Sequence, residues 1–175
     1  MDTKDKLHVL AKIAAELNGA GITYAVGASL LLYLRGLADG FHDIDLSVLE
    51  EDAERAIGIL QRLGTMAPPD QGPGYLTRCF REFTIDGVEV DLIAGMVIEK
   101  DGVPCDCALR REDVDGTVGV DGVEVPLHAL ECWERFYTLM GRQAKADLIG
   151  DAFCRSGGLT KQVKKPEDRQ GCAII

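Results

Sequence analysis

The stretch that most constrains this chain is a small-residue turn placed between an apolar run and a helix, with a pair of aspartates shortly after it. Ile22-Thr23-Tyr24-Ala25-Val26 is a short apolar run, Gly27-Ala28-Ser29 is the turn, and Leu30-Leu31-Leu32-Tyr33-Leu34 continues as a helix. Asp43-Ile44-Asp45-Leu46 then opens a second strand. Side chains alternate along a strand, so Asp43 and Asp45 project from one face. Adjacent carboxylates repel unless a cation lies between them, and hard divalent ions such as Mg²⁺ share oxygen ligands with substrate phosphates. The pattern points to metal-dependent phosphoryl or nucleotidyl transfer.

In a chain with 29 acidic side chains, an Asp-x-Asp pair alone carries little weight. A second pair, Asp113-Val114-Asp115, sits among Arg110, Arg111, Glu112 and Gly116 and reads as a solvated turn. What distinguishes the first pair is its setting and a third aspartate, Asp91, in Val88-Glu89-Val90-Asp91-Leu92-Ile93-Ala94. Arg81 to Ile85, then Asp86-Gly87, then this run spell a hairpin with a tight primed turn. Glu89 and Asp91 share one face of its second strand. A charged edge strand that discourages aggregation is the alternative reading of Asp91.

Elsewhere the periodicities predict an amphipathic helix over Thr3–Leu17, a strand over Thr23–Val26, a helix from Ser29 to Leu34, a strand over Ile44–Val48 and a helix over Glu50–Gly64. Pro68 to Gly74 reads as a loop at the rim of the site. Lys100–Asp115 reads as a variable stretch. A second hairpin turns at Asp121-Gly122, with a short strand over Val123–Pro126. A single long closing helix is expected from His128 to about Ala146, running on towards Phe153. Residues 1–155 are expected to form one domain, and 156–175 a flexible polar tail.

The net charge of −10 repels nucleic-acid phosphates, which argues against a nucleic-acid partner. No run is long and apolar enough to span a membrane. Six cysteines without an export signal predict reduced thiols in the cytoplasm. Cys105, Cys107, His128 and Cys132 form a zinc candidate of unfamiliar spacing. Cys172-Ala173-Ile174-Ile175 formally matches a prenylation box with an untypical last residue.

Taken in order, Gly27-Ala28-Ser29, Phe41-His42-Asp43-Ile44-Asp45-Leu46, Asp91 and the segment Met140-Gly141-Arg142-Gln143-Ala144-Lys145-Ala146-Asp147-Leu148 resemble the nucleotidyltransferase superfamily. Its small members include aminoglycoside and lincosamide nucleotidyltransferases and AbiEii-like proteins. The resemblance covers roughly residues 5 to 153 and departs from the family pattern at two places. Ala28 stands where Gly or Ser is usual, and Ala146 is inserted into a Lys-Asp pair.

The resemblance implies an α+β, polymerase-beta-like fold, with a mixed twisted sheet and helices packed on one side. It implies transfer of a nucleoside monophosphate from an NTP to a hydroxyl of a small-molecule acceptor. Asp43, Asp45 and Asp91 would be the catalytic metal ligands for two Mg²⁺ ions. Gly27, Ser29 and Lys145 would contact the nucleotide, and His42 and Glu89 the acceptor. Arg35 and Arg142 are weaker candidates, read as surface or structural pairs. The acidic surface favours a cationic acceptor, such as an amino-sugar antibiotic. A homodimer or a helical protein partner would complete a site that so short a chain leaves open. Two other readings remain beside this one: half of a toxin–antitoxin pair that acts on or binds a protein or tRNA, and a metal-dependent hydrolase.

Overall fold

The structure is a computed structural model that describes residues 2–68, 70 and 72–155. The expected tail, with its prenylation-like ending, lies outside the described residues, as do 69 and 71 of the rim loop.

Helix α1 (Thr3–Gly19) opens with a capping box in which the Asp2 carboxylate accepts from the Asp5 N–H at 2.8 Å and the Asp5 carboxylate accepts from the Asp2 N–H. Its buried stripe, Val9, Leu10, Ile13, Ala14 and Leu17, recurs every three or four residues and enters the main core. Strand β1 (Tyr24–Val26), helix α2 (Ala28–Leu34) and strand β2 (Ile44–Val48) follow. A 3₁₀ turn at Glu50–Asp52 leads into α3 (Ala53–Leu63). The short β3 (Thr65–Met66) precedes the hairpin of β4 (Cys79–Ile85) and β5 (Val88–Ala94). A second hairpin, β6 (Val97–Lys100) and β7 (Val103–Asp106), stands apart as a two-stranded sheet. The third joins β8 (Val114–Val120) to β9 (Val123–His128), and α4 (Leu130–Leu139) and α5 (Gln143–Arg155) close the described chain.

The main sheet has seven strands in the order β3-β4-β5-β2-β1-β9-β8. It is mixed: β2 runs parallel to β5 and β1 parallel to β9, and the other pairs are antiparallel. On β2 the alternation buries Ile44, Leu46 and Val48 completely, together with Leu10, Ile13 and Leu17 of α1 and Leu60 of α3. Burying one such aliphatic side chain contributes roughly 1.5–3 kcal/mol. Asp45, between two of these anchors, is thereby fixed on the opposite face.

Three expectations are corrected. The stretch after Lys100 holds the β6–β7 hairpin, turned at Asp101-Gly102 with φ of 52° and 77°, as at Asp86-Gly87 and Asp121-Gly122. Asp113-Val114-Asp115 is no free turn, because β8 begins at Val114 with a register irregularity before Thr117. The closing helix is broken in two. His128 ends β9, and Gly141 adopts φ 71° between α4 and α5. The Arg142 N–H donates to the Tyr137 carbonyl at 2.8 Å and the Gly141 N–H to that of Thr138 at 3.1 Å. This is a Schellman ending, which favours glycine at its left-handed residue.

Candidate active site

The parallel register of β2 and β5 pairs Ile44 with Val90, Asp45 with Asp91 and Leu46 with Leu92. Asp45 and Asp91 therefore stand side by side on one face. Asp43 lies just ahead of β2, and carboxylate oxygens of Asp43, Asp45 and Asp91 all come within 4.8 Å of one another. The backbone before the pair is held by α1: the Lys6 ammonium donates to the His42 carbonyl at 2.6 Å and to the Phe41 carbonyl at 3.2 Å. The Gly27 N–H donates to the Asp45 carbonyl at 3.0 Å and ties the turn to the aspartate strand.

This crowding has an electrostatic cost. Burial, then the charges of Asp43 and Asp91, push the Asp45 carboxyl far above the usual carboxylate range, while Lys145 and Arg142 pull it back. Asp91 is pushed up to about 7, by burial first and then by Asp43, Glu82 and Glu89. Neighbouring carboxylates that cannot all ionise alone are a receptive site for a divalent cation. The donors are hard carboxylate oxygens on a rigid strand pair, which suits Mg²⁺ shared with phosphate. Among the described residues, these three aspartates are the one such group with metal-ligand spacing. The zinc candidate is not assembled: His128 is fully buried edge-on to Trp133 and Phe136, and the Cys132 thiol lies 3.5 Å from Asp113.

Ser29, His42, Asp43, Asp45, Asp91 and Lys145 all line one cavity of about 330 Å³. Arg142 lines it too, so the Schellman turn at Gly141 is what aims Arg142 and Lys145 at the carboxylates. Gly27 and Glu89 do not line it. The space above the Gly27 Cα is filled by the Trp133 indole. Glu89 is exposed two residues along β5 from Asp91. Arg35 is a structural tie, donating from Nη2 to the Asp115 carboxylate at 3.0 Å and to its carbonyl at 2.7 Å.

Sequence reasoning did not single out the apolar wall of the cavity, formed by Tyr75, Phe80, Ile93, Met96, Trp133 and Met140. It also passed over Glu82, which stands directly opposite Asp91 in the β4–β5 register. Like charges directly opposite one another are unfavourable in a sheet. Here they extend the acidic row from Asp45 through Asp91 to Glu82.

No protein-family model matches the chain, and no curated protein matches it. Solved structures do. TM1012 of Thermotoga maritima, assigned as a nucleotidyltransferase, is 25% identical, with a TM-score of 0.68 over 89% of this chain and 96% of that one. ANT(2″)-Ia, in complex with adenylyl-2″-tobramycin, is 15% identical, with a TM-score of 0.59 over 85% of this chain and 90% of that one. The lincosamide antibiotic adenylyltransferase LnuA, bound to lincomycin, is 13% identical, with a TM-score of 0.54 over 85% of this chain and 96% of that one. The chain shares the fold of these nucleotidyltransferases.

Proposed function

We propose that this protein transfers a nucleoside monophosphate from an NTP to a hydroxyl of a small, cationic acceptor, with Mg²⁺ as the required ion. The observation that carries the reading is the convergence of the Asp43, Asp45 and Asp91 carboxylates within 4.8 Å, with Lys145 and Arg142 on the wall of the same cavity. Asp43 and Asp45 would hold the metal that the nucleotide shares, and Asp91 the acceptor-side one. Bound there, the metal ions would supply charge stabilisation for the attacking and leaving oxygens.

The residues of the chain account for the rest. The acceptor hydroxyl gives its proton to the Asp91 carboxylate, which lines the cavity beside Asp45. Its oxygen bonds to the α-phosphorus as the bond to the β-phosphate oxygen breaks, and pyrophosphate leaves. Lys145 and Arg142 neutralise charge on that leaving group. Ser29 donates to a phosphate oxygen. The acceptor lies against the apolar wall of Tyr75, Phe80 and Met96, with Asp91 and His42 at its hydroxyl end. The acidic row from Asp45 through Asp91 to Glu82 favours an acceptor that carries an amine. Two of the similar structures are of antibiotic-modifying proteins, which supports aminoglycosides and lincosamides as the first acceptors to test.

The test is incubation with each NTP, Mg²⁺ and an acceptor panel, read by mass spectrometry for the added nucleoside monophosphate and by pyrophosphate release. A protein that neither binds any Mg²⁺·NTP nor releases pyrophosphate with any acceptor is not this enzyme.

A further inference from the structure

Gly74 to Arg78 form an extended strap laid antiparallel on β6. The Glu99 N–H donates to the Gly74 carbonyl at 2.9 Å, the Leu76 N–H to that of Val97 at 2.9 Å and the Arg78 N–H to that of Gly95 at 3.0 Å. Tyr75 stands opposite Ile98 in an antiparallel bridge. Successive side chains of an extended segment point to opposite sides. Tyr75 and Thr77 accordingly line the cavity, whereas Leu76 between them is 51% exposed. Met96, on the backbone beside the strap, lines the same cavity.

The far end of the strap is fixed by an ion pair. Arg78 Nε donates to Glu50 Oε2 at 2.7 Å and Nη2 to Oε1 at 2.5 Å, a two-pronged fork that a lysine ammonium cannot make. Asp106 adds a longer contact to Nη2 at 3.8 Å. Glu50 opens the turn that follows β2, and Gly95 directly follows β5. The fork therefore ties the strap to the ends of the two strands that carry Asp45 and Asp91. It lies over the Gly95 backbone: Gly95 has φ 63°, and a Cβ there would fall 2.6 Å from Arg78 Nε and 2.8 Å from the Glu50 carboxyl carbon. This corner takes glycine both for its left-handed conformation and for the space the fork occupies. Both side chains are nearly half exposed, and such pairs add little to stability. A pair so placed is better suited to hold a position than to hold the fold together.

We propose that the Glu50–Arg78 fork is the latch of the acceptor wall: it fixes where Tyr75 and Thr77 stand relative to the Asp45–Asp91 pair, and so sets the affinity for the acceptor. Neither Glu50 nor Arg78 lines the cavity, so both are positioning residues that act through the strap. The proposal rests on the nucleotidyl-transfer reading above.

The test uses Arg78→Lys, which keeps the charge and loses the fork, Glu50→Gln, and the two together. Each is measured for melting temperature, Mg²⁺·NTP affinity and amide hydrogen exchange in the strap. KM and kcat are measured with the acceptor that the wild type turns over best, from a panel that includes tobramycin and lincomycin. All three variants are expected to melt within about 4 °C of the wild type and to bind Mg²⁺·NTP as it does. The Leu76 and Arg78 amides are expected to exchange about tenfold faster, and the acceptor KM to rise about tenfold while kcat stays within about twofold. Because the two side chains act as one unit, the double variant is expected to match the single ones and not to multiply their effects.

Wild-type exchange at Leu76 and Arg78 in the single variants overturns the latch. A loss of Mg²⁺·NTP affinity equal to the loss of acceptor affinity also overturns it, because that marks a general loosening of the site. A wild type that binds Mg²⁺·NTP but turns over no acceptor overturns the role given to the strap. A wild type that binds no Mg²⁺·NTP removes the nucleotidyl-transfer reading and this inference with it. A wild type that transfers to an acceptor whose KM the variants leave unchanged removes only the inference.

Discussion

A Cβ added to Gly27 would lie 2.2 Å from Cζ2 of Trp133. The indole cannot retreat, because it packs against Phe136 at 5.5 Å, Tyr137 at 5.4 Å and His128 at 6.1 Å between ring centroids. Gly27→Ala is therefore expected to destabilise the protein by about 2–3 kcal/mol, the upper part of the range for overpacking a filled core. Urea unfolding followed by Trp133 fluorescence measures this directly. An unchanged midpoint would mean that the ring moves freely and that the glycine answers to something else.

The next residue predicts the opposite sign. Ala28 has φ 46°, a left-handed conformation that an L side chain pays roughly 1–2 kcal/mol to adopt. Glycine removes that strain but adds about 0.4–1 kcal/mol of unfolded-chain entropy. Ala28→Gly should stabilise by about 0.5–1 kcal/mol net. A melting temperature at or below wild type would show that the turn relaxes without cost.

How much of this was legible in the sequence depends on the range of the contact involved. The hairpin around Asp86-Gly87 was readable, and with it the register: a two-residue turn pairs Ile85 with Val88 and therefore Glu82 with Asp91, as found. Asp101-Gly102 and Gly141 carried local signals of the same kind, overlooked inside a polar stretch and a helical periodicity. The pairing of Asp45 with Asp91 was not readable, because a parallel register is set by how α1 and α3 seat the sheet and not by a turn. The seating of Trp133 on Gly27 joins residues more than a hundred apart, and periodicity sees only that Trp133 is apolar.

His128 sets a pH dependence. It is fully buried, and burial lowers its pKa to about 4 from an ordinary 6.5. Between those values the unfolded chain binds a proton that the folded protein refuses, so stability rises with pH through this window and is lost as pH falls through it. The full difference is about 3 kcal/mol. His128→Phe keeps an aromatic ring among Trp133 and Phe136 and should flatten this acid limb while leaving stability at pH 7 unchanged or higher. Denaturation midpoints between pH 4 and pH 7 decide it, and an undiminished slope in the variant would assign the acid loss to other groups.

The carboxylate cluster should act in the reverse direction, and metal should cancel it. Asp91 rises from 3.8 to about 7 in the folded protein, and Asp45 also rises. Between the unfolded and folded values the folded protein holds protons that the unfolded chain has released. Without metal, these groups therefore make stability fall as pH rises from about 4 towards 7, and the whole penalty is present above that window. Asp91 is partly solvated, so screening reduces its share to about 1–2 kcal/mol. Asp91→Asn should raise metal-free stability at pH 8 by that amount and make the slope shallower. In the wild type, saturating Mg²⁺ should stabilise most at pH 8 and least at pH 5, because the ion competes with the protons these carboxylates hold. In Asp45→Asn and Asp43→Asn the Mg²⁺-dependent rise should shrink and nucleotidyl transfer should be abolished, whereas Asp91→Asn should lower turnover more than nucleotide affinity. Melting curves with Mg²⁺ or chelator across pH 5–8, set beside turnover for the three variants, test both halves. A Mg²⁺ response independent of pH, or wild-type turnover in Asp91→Asn, would remove Asp91 from the metal site and from the proton transfer assigned to it.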